Sequence, residues 1–339
     1  MAGGSKRSTI IDVARAAGVS TKTVSRVLNR EPHVKRELQD RIRAAIVELN
    51  YQPNVLAQGL VRRRSHLIGL IYENPSPSYV VELQMGALDR LKDERYRLVV
   101  LPVGSVHERA TEIVSLLRAA AVDGVVLAPP ASDHPVVLRE LEAAQLPYAR
   151  IAPTRMPEKG PSTSMDDVAA AREIARYLLS LGHRDIAIIK GEPTHCSSEA
   201  RLLGYSQAFA DADVSPRLDW IEQGHYTFES GLEAGRRLLD RPDRPSAILA
   251  QNDDMAVGAL MAARELGLGV PEDVSIVGFD DSEVARLVWP RLTTIRQPVF
   301  EMAATATSML LDQLEGGSAG PAQVHPHELL IRESAAAPR

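Results

Sequence analysis

Residues 9–29 read TIIDVARAAGVSTKTVSRVLN, and this stretch sets what the rest of the chain is for. Ile10 to Ala17 is a helix-forming run that stops at Gly18, a residue that tolerates the left-handed backbone closing a helix. Ser20 is a good N-cap, and a second run reaches Leu28. Two short helices joined by a glycine-containing turn make a helix-turn-helix. At about 100° per residue, Val24, Val27 and Leu28 share one side of the second helix. Thr21, Lys22, Ser25 and Arg26 fall on the other. The apolar side is expected to pack on Val13, Ala14 and Ala17, which leaves the polar side and its two cations for a major groove.

The charge distribution agrees. The 339-residue chain carries a net −5, which by itself argues against nucleic acid. Residues 1–65, however, hold 13 Lys/Arg against 5 Asp/Glu, and the remainder holds 26 against 39. A basic head on an acidic body suits a duplex contacted at one end only. The apolar content of 45% is enough for two or three domains. No apolar run approaches the ~20 residues of a membrane span, and MAGGSKRST lacks the apolar core of a signal peptide, so no membrane role and a cytoplasmic location are expected. The one cysteine, Cys196, excludes an intrachain disulfide and a cysteine-rich metal site.

Beyond the first two helices, a loop over Arg30 to Val34 precedes a third helix from Lys35 to about Leu49, with Leu38, Ile42, Ala45, Ile46 and Leu49 at helical spacing. Lys35, Arg36, Arg41 and Arg43 lie elsewhere on it, as solvated charges or phosphate contacts. Tyr51 to Asn54 stops the helix; Val55 to Leu60 and Arg62 to Arg64 read as a linker. A six-residue helix containing Gly59 is unstable alone. From His66 onward, apolar runs (Leu67–Ile71, Leu98–Leu101, Val125–Leu127, Tyr148–Ile151) alternate with helical stretches (79–92, 108–121, 134–144). The alternation continues as 169–181, 186–189, 198–210, 230–239, 247–250, 255–266 and 275–279. Strands alternating with helices mean parallel sheets covered on both faces, here two α/β halves in tandem. No nucleotide-binding glycine loop, H-E-x-x-H or G-x-S-x-G occurs, so no cofactor, no metal and no enzymatic activity are expected. His195 beside Cys196 does not make a nucleophile–base pair, since adjacent residues seldom form one.

The run D-V-A-x-x-A-G-V-S-x-x-T-V-S-R-V-L-N resembles the DNA-binding segment of the LacI/GalR regulator family, and the likeness continues to the end of the chain. It implies an α/β protein with an all-α helix-turn-helix headpiece and a two-subdomain, periplasmic-binding-protein-like (type I) body of doubly wound parallel sheets. It divides the chain into a DNA-binding domain (1–50), a hinge helix or linker (51–65) and an effector-binding and dimerisation domain (66–335). Subdomain one spans about 66–166 and 297–325, and subdomain two about 167–296 and 326–335. By the same resemblance the hinge folds on operator DNA, with Leu60 as a minor-groove wedge and Ala57 beside it; such insertion costs a few kcal/mol and is offset by contacts on the bent duplex. Thr21, Lys22 and Arg26 are expected at base edges, and Thr9, Ser20, Thr23, Ser25 and Asn29 at phosphates.

In open α/β sheets, ligands bind beyond the carboxyl ends of the strands. Tyr72-Glu73-Asn74, Asp166-Asp167, Asn252-Asp253-Asp254 and Asp280-Asp281 follow strands or cross between the halves. The resemblance selects among them: E-A-R-L-L-G-Y points to Arg201 with Ser197 one turn before, A-Q-N-D-D-M to Asn252, V-G-F-D-D to Asp280. It also points to Tyr226 as a stacking surface, Tyr79 at the rim, and Asp166 reaching in from the first half. Carboxylates and amides for hydroxyls, an arginine fork and an aromatic ring face suit a sugar. Arg150 faces either the cleft or an ion pair; in the cleft it would favour a sugar acid or phosphorylated ligand.

The expected protein is therefore a ligand-controlled repressor. It binds double-stranded, pseudo-palindromic operator DNA as a homodimer and is released by a small-molecule effector, a saccharide. A purine- or sugar-acid-responsive regulator and a sugar receptor without DNA function are the alternatives. With no heptad tail, no coiled-coil tetramer is expected.

Overall fold

A computed structural model describes residues 8–28, 34–51, 64–73, 76–156, 158–318 and 320–339. The expected roles of Asn29, Ala57 and Leu60 fall outside these residues, as does Asn74. The chain forms two contact units, meeting between His66 and Leu67.

The first unit is three helices: α1 (Ile10–Ala16), α2 (Thr21–Leu28) and α3 (Arg36–Glu48). Thr9 opens α1 through a reciprocal capping box with Asp12, which satisfies two otherwise orphaned N–H groups. Gly18 takes φ +63°, the left-handed turn that lets Val19 N–H reach back to Ala14 O. Ser20 Oγ then accepts from Thr23 N at 3.2 Å and caps α2. Val13, Ala14, Ala17, Val24, Ile42 and Ala45 form the core. Arg41 does not face outward as a phosphate contact: it donates to Ala17 O at 2.6 Å and closes the end of α1.

The second unit has two lobes. In the first, a parallel sheet runs in the order β11-β5-β4-β3-β1-β2. Its strands are β1 (Leu67–Tyr72), β2 (Arg97–Pro102), β3 (Gly124–Leu127), β4 (Tyr148–Ile151), β5 (Ser162–Ser164) and β11 (Gln323–Val324). One face buries α4 (Pro77–Leu91) and α13 (Val299–Leu314) through Leu83, Leu91, Met302, Ala306 and Leu310. The other buries α6 (Ile113–Ala119) and α7 (Pro135–Ala143) through Ile113, Leu117, Leu138 and Leu141. The helix expected over 108–121 is two: α5 (Val106–Arg109), capped by Ser105, and α6, with a turn between them.

In the second lobe the parallel order is β7-β6-β8-β9: β6 (Ile186–Lys190), β7 (Ile221–Gln223), β8 (Ala247–Ala250) and β9 (Ser275–Val277). Helices α8 (Asp167–Ser180) and α9 (Cys196–Asp211) cover one face. Helices α10 (Phe228–Leu239) and α11 (Asp253–Glu265) cover the other. Short α12 (Glu283–Leu287) follows β9. An antiparallel pair, β10 (Thr294–Arg296) with β12 (Glu328–Leu330), accompanies the crossings between lobes. Strands β5, β7 and β11 are ones that the run lengths gave no sign of. Among the described residues no helix is long and apolar enough to cross a membrane.

Candidate functional site: a cleft between two lobes and an exposed helix

Two places on the protein gather polar side chains with a purpose. On the head, α2 turns Val24 into the core and leaves Thr21, Lys22 and Arg26 exposed, with Ser20 exposed just before them. Thr23 and Ser25 are half-buried. Thr9 is exposed, its hydroxyl 2.7 Å from Asp12 in the capping box.

On the body, the carboxyl ends of β1, β6 and β8 and the segment after β9 meet around a cleft of about 30 Å³. It is lined by Tyr79, Ser197, Arg201, Tyr226, Asn252 and Asp280, as the sequence led one to expect, and by Asp167, His195, Gln297, Ser76, Pro129 and Ala152. Arg201 is its floor. Its Nε donates to Asp167 at 2.8 Å, Nη1 donates to Gln251 O, Asp280 lies 4.0 Å away, and Phe279 lies 3.8 Å under the guanidinium. Burial opposes that charge, but Asp167, Tyr226 and Asp280 outweigh it and hold the group firmly protonated. Asp280 is raised well above the usual carboxylate range by burial, Arg201 opposing and Asp253 adding to it. Asp253, behind it, is pushed up to about 7 by burial, although Ser282 N–H, Ser282 Oγ and Thr294 Oγ1 all donate to it. Asp280 and Asp281 adopt φ of +126° and +57°, positions where a residue other than glycine carries strain that the surrounding contacts must hold.

The acid facing Arg201 is Asp167, not Asp166. Asp166 is exposed and caps α8 by accepting from Ala169 N at 2.9 Å. One residue is about 100° of helix, so only one of the pair can face inward, and the cap position belongs to the first. Asn252 likewise caps its helix: Oδ1 accepts from Met255 N and Nδ2 donates to Tyr226 O, both at 3.0 Å. Tyr226 is buried rather than open for stacking. Its hydroxyl is 3.2 Å from Ser197 Oγ, and its ring lies against Gly191, where a Cβ would fall 2.1 Å from the ring. His195 stands edge-on to Tyr226 and reaches Glu73 O in the other lobe. Burial lowers the His195 pKa, so it is a neutral donor. The sequence signal for it was its place two residues before Ser197, at the mouth of β6.

Arg150 takes the ion pair and not the cleft. It is fully buried, 3.3 Å from Asp133, and donates to the carbonyls of Ser132, Arg155, Met156 and Lys159. The requirement for a sugar acid that a cleft-facing Arg150 would have brought is thereby removed. Cys196, half-buried, has its thiol pKa raised by burial. Among the described residues no cluster of side chains suits a metal ion.

Residues 9–54 match the family described as bacterial regulatory proteins, lacI family, and residues 175–335 a periplasmic binding protein-like domain. The HTH-type transcriptional repressor PurR of Pectobacterium atrosepticum is 35% identical over 97% of this chain and 97% of its own length. A Lac repressor dimer bound to operator and the anti-inducer ONPF matches with TM-score 0.84 and 30% identity over 98% of this chain and all of that one. A complex of the transcriptional regulator CelR with cellobiose matches with TM-score 0.73 and 30% identity over 97% of this chain and all of that one. A head whose second helix bares Thr21, Lys22 and Arg26, a two-lobed body closed on a buried arginine, and relatives alike from end to end agree: the chain belongs to the LacI family of transcriptional regulators.

Proposed function

We propose that the protein is a repressor that binds a pseudo-palindromic operator as a homodimer in the cytoplasm and lets go when a saccharide enters the cleft. Thr21, Lys22 and Arg26 read base edges; Thr9, Ser20, Thr23, Ser25 and Asn29 hold phosphates; Leu60, with Ala57 beside it, wedges the minor groove. The cleft supplies Arg201, Asp167, Asp280, Ser197, Asn252 and the Tyr226 hydroxyl for hydroxyls, and Tyr79 for a ring face. The dimer forms through the first lobe, where Val81, Met85 and Leu88 make an exposed apolar stripe on α4. No reaction is assigned to it.

The observation that carries this reading is the size of the cleft against its chemistry. About 30 Å³ admits one or two waters and no sugar ring, yet the walls are polar and charged. A ligand is therefore accommodated only when the lobes part, and a ligand that selects one lobe geometry shifts the equilibrium that orders the head on DNA. Coupling of this kind is typically about 1–3 kcal/mol and acts equally in both directions.

The test is selection of full-length protein against a pool of randomised duplexes, followed by a thermal-shift screen of sugars and purines. Enrichment of a two-fold symmetric site, released by a saccharide, is the expected result. Failure to enrich any sequence over bulk DNA overturns the repressor reading; release by a purine base alone overturns the saccharide.

A further inference from the structure

We infer that the cleft accepts uncharged or cationic polyhydroxylated ligands and rejects anionic ones, sugar acids and sugar phosphates included. The inference rests on the saccharide reading above and narrows it. Among the described residues lining the cleft, Arg201 is the one permanent cation, and it is already committed. Its Nε is bonded to Asp167, Nη1 to the Gln251 carbonyl, its face to Phe279, and Asp280 stands 4.0 Å off. Two lining carboxylates thus share one guanidinium, with Asp253 fully buried behind them.

Of the other guanidiniums nearby, Arg150, Arg296, Arg332 and Arg155 are matched, and Arg286 lines the adjoining groove beside Tyr79, Asp280 and Gln297 and not the cleft itself. Arg150 is turned away into the loop carbonyls and Asp133. Arg296 and Arg332 both donate to Asp281, which is itself nearly buried. Arg155 reaches Glu199 at 3.2 Å across the lobe boundary. His195 gives its one proton to the Glu73 carbonyl. At the mouth, Glu73 and Glu192 are close enough to repel each other, and Asp254 hydrogen-bonds Ser76. A carboxylate or phosphate entering here meets the Asp167 carboxylate and an Asp280 whose ionisation burial already opposes, and among the described residues lining the cleft no unshared cation offsets a further negative charge. A hydroxyl instead donates to Asp167 and accepts from the guanidinium, and an ammonium group beside Asp280 offsets the burial that opposes its ionisation and pairs with the carboxylate so formed.

The experiment offers the full-length protein each scaffold as a charge series, read by calorimetry and thermal shift. The series are glucose, glucosamine, glucuronate and glucose 6-phosphate, the galactose equivalents, and adenine against adenosine 5′-monophosphate. On whichever scaffold binds, the neutral or aminated member is expected to bind at least a hundredfold more tightly than the anionic one. Asp167→Asn, which removes the carboxylate paired with Arg201, is expected to narrow that gap at least tenfold, and Asp280→Asn serves where the first variant does not fold. An anionic member that matches its neutral partner on the wild-type protein overturns the inference. Adenine binding where no sugar binds removes the saccharide reading but leaves the charge rule standing, read against the nucleotide. Inorganic phosphate provides an arm that needs no scaffold. It should leave the wild-type Tm unchanged, and a rise that Arg201→Gln abolishes also overturns the inference.

Discussion

His195 Nε2 lies 3.0 Å from the carbonyl oxygen of Glu73, a hydrogen bond that runs from one lobe to the other across the cleft. A carbonyl only accepts, so Nε2 carries the proton, and the ring is 2% exposed. The bond favours the closed arrangement. A buried neutral hydrogen bond contributes roughly 0.5–1.5 kcal/mol net. His195→Ala therefore makes opening cheaper and should tighten effector binding about two- to tenfold, while His195→Gln, which keeps a donor, stays nearer the wild type. Calorimetry with a bound saccharide decides: an affinity that drops in both variants makes His195 a ligand contact and not a latch.

Arg150 is among the largest fully buried side chains of the described residues, and five oxygen-bearing partners surround its guanidinium. Replacing it with Met takes the charged donor from the carbonyls of Ser132, Arg155 and Lys159 and leaves Asp133, to which Thr154 and the Arg155 N–H still donate, a buried carboxylate without its counter-charge. Breaking a buried pair of this sort costs about 3–5 kcal/mol. A fall in Tm of many degrees is expected, and Arg150→Lys should recover little, because a single ammonium cannot span the fork. Denaturant unfolding within about 1 kcal/mol of wild type would refute a structural role.

The alternation of apolar runs and helical stretches was enough to read the two parallel-sheet lobes, because a strand buried on both faces is a continuous apolar run. It was not enough for β5, β7 and β11, which are only two or three residues long and partly polar. Asn252 and Asp280 were legible as candidates because each sits just past a strand, whereas Arg201, inside α9, was pointed to only by the resemblance of its segment to the family. Asp166 and Asp167 were not separable, because adjacent acids at a helix start differ only in which one caps. Arg150 illustrates the limit most plainly. Charge in an apolar strand says that a partner exists, but its partners are loop carbonyls at 155–159 and Asp133, which no periodicity links to it.

Asp253 gives the protein a pH dependence of definite sign. Its pKa is pushed up to about 7 by burial, whereas an unfolded aspartate titrates near ~3.9. Between those limits the folded state holds a proton that the unfolded state lacks, so stability from this group falls as pH rises, by at most about 1.4 kcal/mol per pH unit. His183 and His195, lowered by burial, act in the opposite direction as pH falls below about 6.5. Subtracting a variant isolates the aspartate. The wild-type Tm minus that of Asp253→Asn should shrink steadily between pH 5 and 7 and level off above; a difference independent of pH would count against the shifted carboxyl.

Val81, Met85 and Leu88 on α4 are each about half exposed and lie on one side of the helix. Burying such a stripe against its two-fold mate is the expected dimer contact. Met85→Glu places a charge in that seam and should give monomers by sedimentation, with operator affinity reduced at least a hundredfold because one head loses its partner's half-site. Unaltered sedimentation would move the dimer contact elsewhere on the first lobe.

Arg26 and Lys22 differ in what their loss should reveal. Both are exposed on α2. An arginine that forks onto guanine O6 and N7 discriminates by roughly 1–3 kcal/mol, whereas a phosphate contact weakens all sequences alike and lowers the salt slope by about one ion. Arg26→Ala should therefore cost about ten- to hundredfold on the selected operator and little on random duplex, compressing the specificity ratio. Lys22→Ala should act in the same way at its own base position. Anisotropy titrations at several salt concentrations separate the cases. Equal losses on operator and random DNA, with a shallower salt dependence, would reassign the side chain from base edge to backbone.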